Sequence, residues 1–452
     1  MTDNLIATAL ESATDTRSIV IGKGVADQAG RVFTELFGDR RAIIVADGNT
    51  FAAMGGVVAE SLREAGVEMI EPYLFPGSPT LYAGYSNIEL LRDHLAPLDA
   101  VVVAIASGTL NDVAKCANGE LGREYMVVGT AASMDGYAAY GASITKDGFK
   151  QTLSCPAPAG IVADLTVMAA APTRLTATGY GDLIEKVPAG ADWIISDELG
   201  IEAIDENVWA LVQGPLREAL SDPAGLRAGE GDSTYGLAEG LIMSGLAMQA
   251  YQSSRPASGA GHQFSHLWEM EKLGMDQDPP LSHGFKVGLG TVAIASLFEV
   301  LLTKDLTTLD VDAAVAAWPT REEMEARVRA VHSGDVVEPA VTETLAKYVD
   351  AQELRARLKV IKEKWPVIAE RVRAQLLPAA DLKASLDTVG AVTHPSQIGV
   401  TMDRFRQTYS RAQMIRRRYT VLDLLVEANL LDECVDELFA EGGFWAESQP
   451  PA

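Results

Sequence analysis

Histidine is scarce in this chain, with six in 452 residues, yet three fall close together: His262 and His266 in SGAGHQFSHLWEME and His283 in PPLSHGFKVGLGT. Set beside Asp182 in the Gly-rich turn GYGDLIEK, they make the carboxylate-plus-imidazole set that a divalent metal takes. Residues four apart on a helix lie on one face, so His262 and His266 can enter the same pocket. His283 follows the Pro279-Pro280 loop and approaches from a separate element. A single histidine is most often a core or surface residue, but the triplet with Asp182 favours a metal. Zinc is the first expectation, and nickel or iron suit the same ligands.

Two kinds of element must position these groups. In the first third of the chain, the apolar runs SIVIG (18–22), AIIVAD (42–47), AVVVAI (100–105) and YMVVG (125–129) alternate with helical patterns such as MGGVVAESLREAGV and NIELLRDHL. Continuous Val/Ile runs bounded by Gly or Asp mark strands buried on both faces, so the region is predicted to be an α/β, Rossmann-like, doubly wound parallel sheet that takes a nucleotide. From Pro172 onward helical patterns dominate, including NVWALVQGPLREAL, STYGLAEGLIMSGLAMQAYQ and TVLDLLVEANLLDECVDELF. The expected division is a nucleotide-binding domain over 1–171 and a mostly helical metal- and substrate-binding domain over 172–452, with APTRLTATGYGD as the hinge. The tail ESQPPA reads as disordered.

Two strand ends carry chemistry. The run AVVVAI leads into Ala106, Ser107, Gly108, Thr109 and Leu110 and then into a helix. Small residues there let backbone N–H groups and the positive helix end meet a phosphate, although such a turn is also the ordinary connection of an α/β fold. The next strand leads into Thr130, Ala131, Ala132, Ser133 and then Asp135, at the carboxyl edge where an open sheet binds its ligand. Asp135 can accept from substrate hydroxyls or serve as a turn-forming Asp-Gly.

The formal charge of −25 argues against nucleic acid and anionic membrane surfaces. An anionic substrate would need a local cation. Three separated cysteines give no disulfide framework and fit a reducing cytoplasm, and the N-terminal residues lack a signal-peptide pattern. The basic run RFRQTYSRAQMIRRRYT reads as a solvated helix face. Lys186 is read either as a contact for substrate charge or as a helix-surface residue.

SGTLNDVAK, GTAASMDGYA, GYGDLIEK with ADWIISDELG, SRPASGAGHQFSH and SHGFKVGLGT resemble, in the same order, the sn-glycerol-1-phosphate dehydrogenases, relatives of metal-dependent glycerol dehydrogenases and dehydroquinate synthases. The resemblance runs over roughly residues 15 to 430 and implies an active site in a cleft between the two domains. It implies Asp182, His262 and His283 as metal ligands and Asp135, Asp182 and His266 as substrate contacts, with Asp182 and His266 catalytic. It also implies Ala106 to Leu110 and Thr130 to Ser133 as cofactor-binding turns. Asp47, at the end of the second strand, is placed to meet the adenosine ribose, which favours NAD(H) with NADP(H) as the alternative. Two positions depart from the family pattern: Ala106 stands where Gly is usual, and Ala139 where Ser is common.

The implied activity is reversible reduction of dihydroxyacetone phosphate to sn-glycerol 1-phosphate, serving lipid biosynthesis or another use of that product. The substrate is then a phosphorylated triose or polyol, and a homo-oligomer is compatible with the reading. A glycerol or other polyol dehydrogenase, a dehydroquinate-synthase-like cyclase and a nucleotide-binding pseudoenzyme are the alternatives.

Overall fold

The computed structural model describes residues 2–146 and 149–448. Residues 449–452 of the tail expected to be disordered lie outside them. Eight strands follow in chain order: β1 (Ser18–Gly22), β2 (Ala42–Asp47), β3 (Met69–Phe75), β4 (Val101–Ala106), β5 (Tyr125–Gly129), β6 (Ala142–Lys146), β7 (Phe149–Leu153) and β8 (Gly160–Asp164). Six form a parallel sheet in the order β1-β8-β5-β4-β2-β3, and β6 and β7 make a separate antiparallel hairpin.

The continuous apolar runs are explained by what covers the sheet. Ile43 and Val45 of β2 and Val102 and Ala104 of β4 enter one hydrophobic cluster. Their neighbours Ala42, Ile44, Val101, Val103 and Ile105 enter another on the opposite face. Both sheet faces are therefore dry, as a doubly wound parallel sheet requires. Three of the four expected strands have the observed bounds, and the fourth shifts by one residue. β3 was not anticipated: it is a sheet-edge strand, MIEPYLF, whose Glu71 and Pro72 break the apolar run. The short GIVAD of β8 was also passed over.

After β8 the chain is helical among the described residues. The expected hinge segment contributes most of the helix Thr173–Ile184. The pattern TVLDLLVEANLLDECVDELF is two helices, Val421–Glu427 and Leu431–Phe439, separated by Asn429 at φ 57°. One helix, His283–Leu301, is long and apolar enough to cross a membrane, but 83% of that stretch is buried within the fold, as expected for a core helix.

The helix His283–Leu301 packs at backbone distance on both Thr173–Ile184 and Ala260–Met270, and the glycines of the sequence motifs permit it. A Cβ on Gly284 would lie 1.9 Å from the Thr178 carbonyl oxygen, and one on Gly290 2.4 Å from that of Gly261. The lone methyl of Gly284→Ala therefore has to push two helices apart. The expected cost is about 1–3 kcal/mol or more, measurable as a lower midpoint in denaturant unfolding.

Candidate active site

At the carboxyl edge of the sheet a cavity of about 660 Å³ is lined by Asp47, Ser107, Thr109, Leu110 and Thr130, with Arg174 and Leu175 contributed by the helix Thr173–Ile184. Ser107 is the N-cap of the helix Gly108–Glu120, yet its side chain makes no capping bond. The first N–H groups of that helix are thus left for an anion. Of the residues expected at this cleft, Ala106, Gly108 and Ala131 to Ser133 do not line the cavity. Ala106 is fully buried within β4. Gly108 is backed by Met134, whose sulfur would stand 2.8 Å from a Cβ there. Ala139 lies in a small apolar cluster with Met248 and Ala257.

Asp47 has a structural task that sequence reading did not assign. One carboxylate oxygen, Oδ1, accepts from the backbone N–H of Asn49 and Thr50 at 2.8 and 2.9 Å and caps the helix Gly48–Glu64. Oδ2 makes no such contact and belongs to a residue that lines the cleft.

The second part of the site gathers Asp182, His262 and His283, each offering a ligand atom within 4.8 Å of the others. Asp182 is 1% exposed. The His262 ring centroid is 5.4 Å from that of His283, and His266 stands 5.9 and 5.7 Å from the two. Asp135 joins the group, since its N–H donates to Asp182 Oδ2 at 2.9 Å.

Partners missed in the sequence orient these groups. Glu185 Oε2 lies 2.9 Å from His262 Nδ1, and Glu269 Oε1 lies 2.9 Å from His283 Nδ1. The Glu269 contact is a hydrogen bond that leaves the His283 Nε2 for a metal, the arrangement by which an outer carboxylate fixes a ligand's tautomer, and Glu185 stands at the same ring position of His262. The clue was spacing: Glu185 follows Asp182 by three residues, and Glu269 follows His266 by three on the same helix. Lys186 is neither on the surface nor free for substrate. It is fully buried, with Nζ 2.9 Å from Asp135 Oδ2 and 3.3 Å from Asp182 Oδ1.

The charges fit a divalent cation. Among the described residues, four carboxylates (Asp135, Asp182, Glu185 and Glu269) have two ammonium groups, Lys186 and Lys286, in ion-pair contact with the group. With neutral imidazoles the cluster holds two surplus negative charges in a buried setting, which a protein sustains only with compensation. Without a metal that compensation comes from a proton. Burial opposes charge on His262, but Glu185 and the contact with Asp182 outweigh it and push its pKa up to about 9. Burial would likewise raise Asp182, yet Lys186 and the two imidazoles hold it well below the usual carboxylate range. Buried Glu185 Oε2 and His262 Nδ1 lie in ion-pair contact at 2.9 Å and form no well-directed hydrogen bond with another described residue. His266 differs: burial, then the nearby charge of Arg416, hold its pKa well below the ordinary value, so it is neutral near pH 7.

The chain thus combines a parallel nucleotide-type sheet, a helical region beyond it and a carboxylate–imidazole cluster of the kind that holds a divalent metal. The family model described as iron-containing alcohol dehydrogenase matches residues 20–172. The fold is similar to that of a probable glycerol dehydrogenase from Sinorhizobium meliloti 1021, with a TM-score of 0.59 at 16% identity over 94% of this chain and 98% of that one. Among curated relatives, a glycerol-1-phosphate dehydrogenase [NAD(P)+] of Bacillus subtilis is 32% identical over 64% of this chain and 73% of its own length. One from Methanothermobacter thermautotrophicus is 31% identical over 62% and 78%. The match to the Halalkalibacterium halodurans enzyme of the same name, 35% identical, spans 66% of that relative, just under two thirds. The chain belongs to the glycerol-1-phosphate dehydrogenase family.

Proposed function

We propose that this protein catalyses the reversible, NAD(P)-linked reduction of dihydroxyacetone phosphate to sn-glycerol 1-phosphate. The observation that carries the reading is the Asp182–His262–His283 cluster with its two surplus negative charges, together with a cleft at the carboxyl edge of the sheet suited to a dinucleotide. Asp182, His262 and His283 are the ligands in this reading, with zinc first among the metals and nickel or iron suited to the same donors. Ser107, Thr109, Leu110 and Thr130 receive the cofactor, with Ala106, Gly108 and Ala131 to Ser133 as the backing of those turns. The division of labour follows the boundary near Pro172, residues 1–171 binding the nucleotide and 172–452 the metal and substrate.

When bound, the cation supplies Lewis acidity at the ketone oxygen and the nicotinamide supplies the hydride. The protein's own groups orient and protonate. Asp135 binds Lys186 and Ser244 through Oδ2, which leaves Oδ1 to accept from a substrate hydroxyl. His266, neutral and beside the cluster, donates to or accepts from substrate oxygen and passes the product its proton through water. Lys186 binds both carboxylates and keeps Asp182 ionised.

The negative charge supports a small-molecule substrate over nucleic acid or membrane partners, and three free cysteines support a reducing cytoplasm. A homo-oligomer is compatible with the fold.

The test is NADH oxidation by metal-reconstituted protein offered dihydroxyacetone phosphate, dihydroxyacetone and glycolytic aldehydes. Preference for the phosphorylated ketone is expected. Equal or better turnover of the unphosphorylated ketone would move the protein to a polyol dehydrogenase, and carbohydrate phosphate turnover without net NADH change would make it a cyclase.

Cofactor choice supplies a second test. Asp47 repels a 2′-phosphate, so NADH should be preferred to NADPH. Asp47→Ser retains a capping side chain while removing the charge, and the ratio of kcat/KM for the two cofactors should narrow about tenfold, with little change in stability. A wild type that already favours NADPH contradicts the assignment.

A further inference from the structure

An anionic substrate in a chain of net charge −25 needs a cation that the protein has not already neutralised. The basic run was expected to be a solvated helix face, and most of it is occupied otherwise. Arg404 and Arg411 pair with Glu271, Arg406 with Asp436 and Arg417 with Glu343. Arg418 donates to the backbone oxygens of Ser254 and Ser258 at 3.3 and 2.8 Å. Arg416 stands apart. Among the described residues none lies within hydrogen-bonding or ion-pairing distance of its guanidinium, although the side chain is half-buried.

The surroundings of Arg416 are those of a binding site. It lines a cavity of about 460 Å³ together with His266, Gln263, Ser253 and Arg418. Gln263 is 2% exposed, and its side-chain oxygen has no hydrogen-bond partner. His266 borders both this cavity and the metal-ligand histidines, with ring centroids 5.9 and 5.7 Å away. The start of the helix Ala260–Met270 cannot serve the anion instead. Its Gly259 N–H donates to Glu185 and its Ala260 N–H to Asp192, at 3.0 and 2.7 Å. Glu343 also lines the cavity, but its carboxylate is engaged by both the backbone and the guanidinium of Arg417.

We propose that Arg416 is the phosphate-binding residue of the substrate site, its guanidinium taking two phosphate oxygens while Gln263 accepts from a ligand hydroxyl or from a water on the phosphate. Arg presents paired donors in the geometry that phosphate oxygens match. The inference rests on the glycerol-1-phosphate dehydrogenase reading, and it places the substrate's phosphate on the side of His266 away from the cofactor cleft. The three-carbon body then spans from His266 to the metal ligands.

Arg416→Met and Arg416→Lys test it in metal-reconstituted enzyme. Arg416→Met should raise KM for dihydroxyacetone phosphate about 10²-fold, the loss of a two-point charged contact, with a smaller change in kcat. The preference for dihydroxyacetone phosphate over dihydroxyacetone should fall by a similar factor, and Arg416→Lys should recover part of it. Calorimetry with inorganic phosphate gives an independent reading: wild-type binding should be lost in Arg416→Met. An unchanged KM, an equal loss with both ketones, or phosphate binding retained in Arg416→Met would overturn the assignment. If the wild type shows no preference for the phosphorylated ketone, the proposed function fails, and phosphate calorimetry alone then decides the subsite. Should Arg416→Met not fold, Arg416→Lys carries the same comparison, with full wild-type KM and phosphate affinity counting against the proposal.

Discussion

His283→Ala is expected to abolish turnover while leaving a folded protein. His283 supplies one of three ligand atoms within 4.8 Å of each other, and two remaining ligands hold a divalent ion poorly. Loss of Lewis-acid stabilisation at a developing alkoxide removes several kcal/mol of barrier lowering, so activity should drop by about 10³-fold or more. His283 opens its helix and is a quarter exposed, at 28% of its side chain, so its removal leaves little cavity. The unfolding midpoint should move by a few degrees at most. Chelation of the wild type should produce the same inactive state, reversed by added metal. Activity in a variant verified to be metal-free would refute the ligand assignment.

His266→Ala should separate metal binding from substrate handling. His266 is one helical turn from His262 but lies outside the three-ligand set, and its nearest acidic atom, Glu269 Oε2, is 3.5 Å away. The variant should keep metal near stoichiometry and lose about 10² to 10⁴-fold in kcat/KM, the range expected for a positioned polar contact with a proton-relay role. Because burial and Arg416 keep this imidazole neutral, its ionisation should leave no inflection in the activity profile between pH 6 and 8. Metal loss equal to that of His262→Ala would make His266 a ligand. Unchanged kinetics would make it a packing residue.

The parts of this molecule that were legible from sequence share one physical property: a local signal that the fold repeats. AIIVAD and YMVVG are strands because continuous β-branched apolar residues suit a sheet dry on both faces, and the i, i+4 spacing of His262 and His266 brings two imidazoles to one face. What escaped depends on contacts between distant segments. β3 is assigned by its pairing with β2, against its own polar residues. Glu185 and Glu269 look like ordinary helix acids until the histidines they orient are placed beside them. Lys186 looks exposed by composition, but its charge is buried between Asp135 and Asp182, carboxylates 47 residues apart. The basic run misled because helical periodicity was assumed throughout: the helix Met402–Gln413 ends before Arg416, and the non-helical segment that follows brings Arg416 against a cavity. Asp47 was expected at the ribose; it lines the cleft, with half of its carboxylate committed to a helix cap.

Product chirality tests the central claim most directly. Metal-reconstituted protein given dihydroxyacetone phosphate and NADH should form glycerol phosphate, assigned enantiomerically with a stereospecific coupling enzyme. The account predicts sn-glycerol 1-phosphate alone, formed only when metal is present. Formation of sn-glycerol 3-phosphate, or equal product from verified metal-free protein, would contradict it.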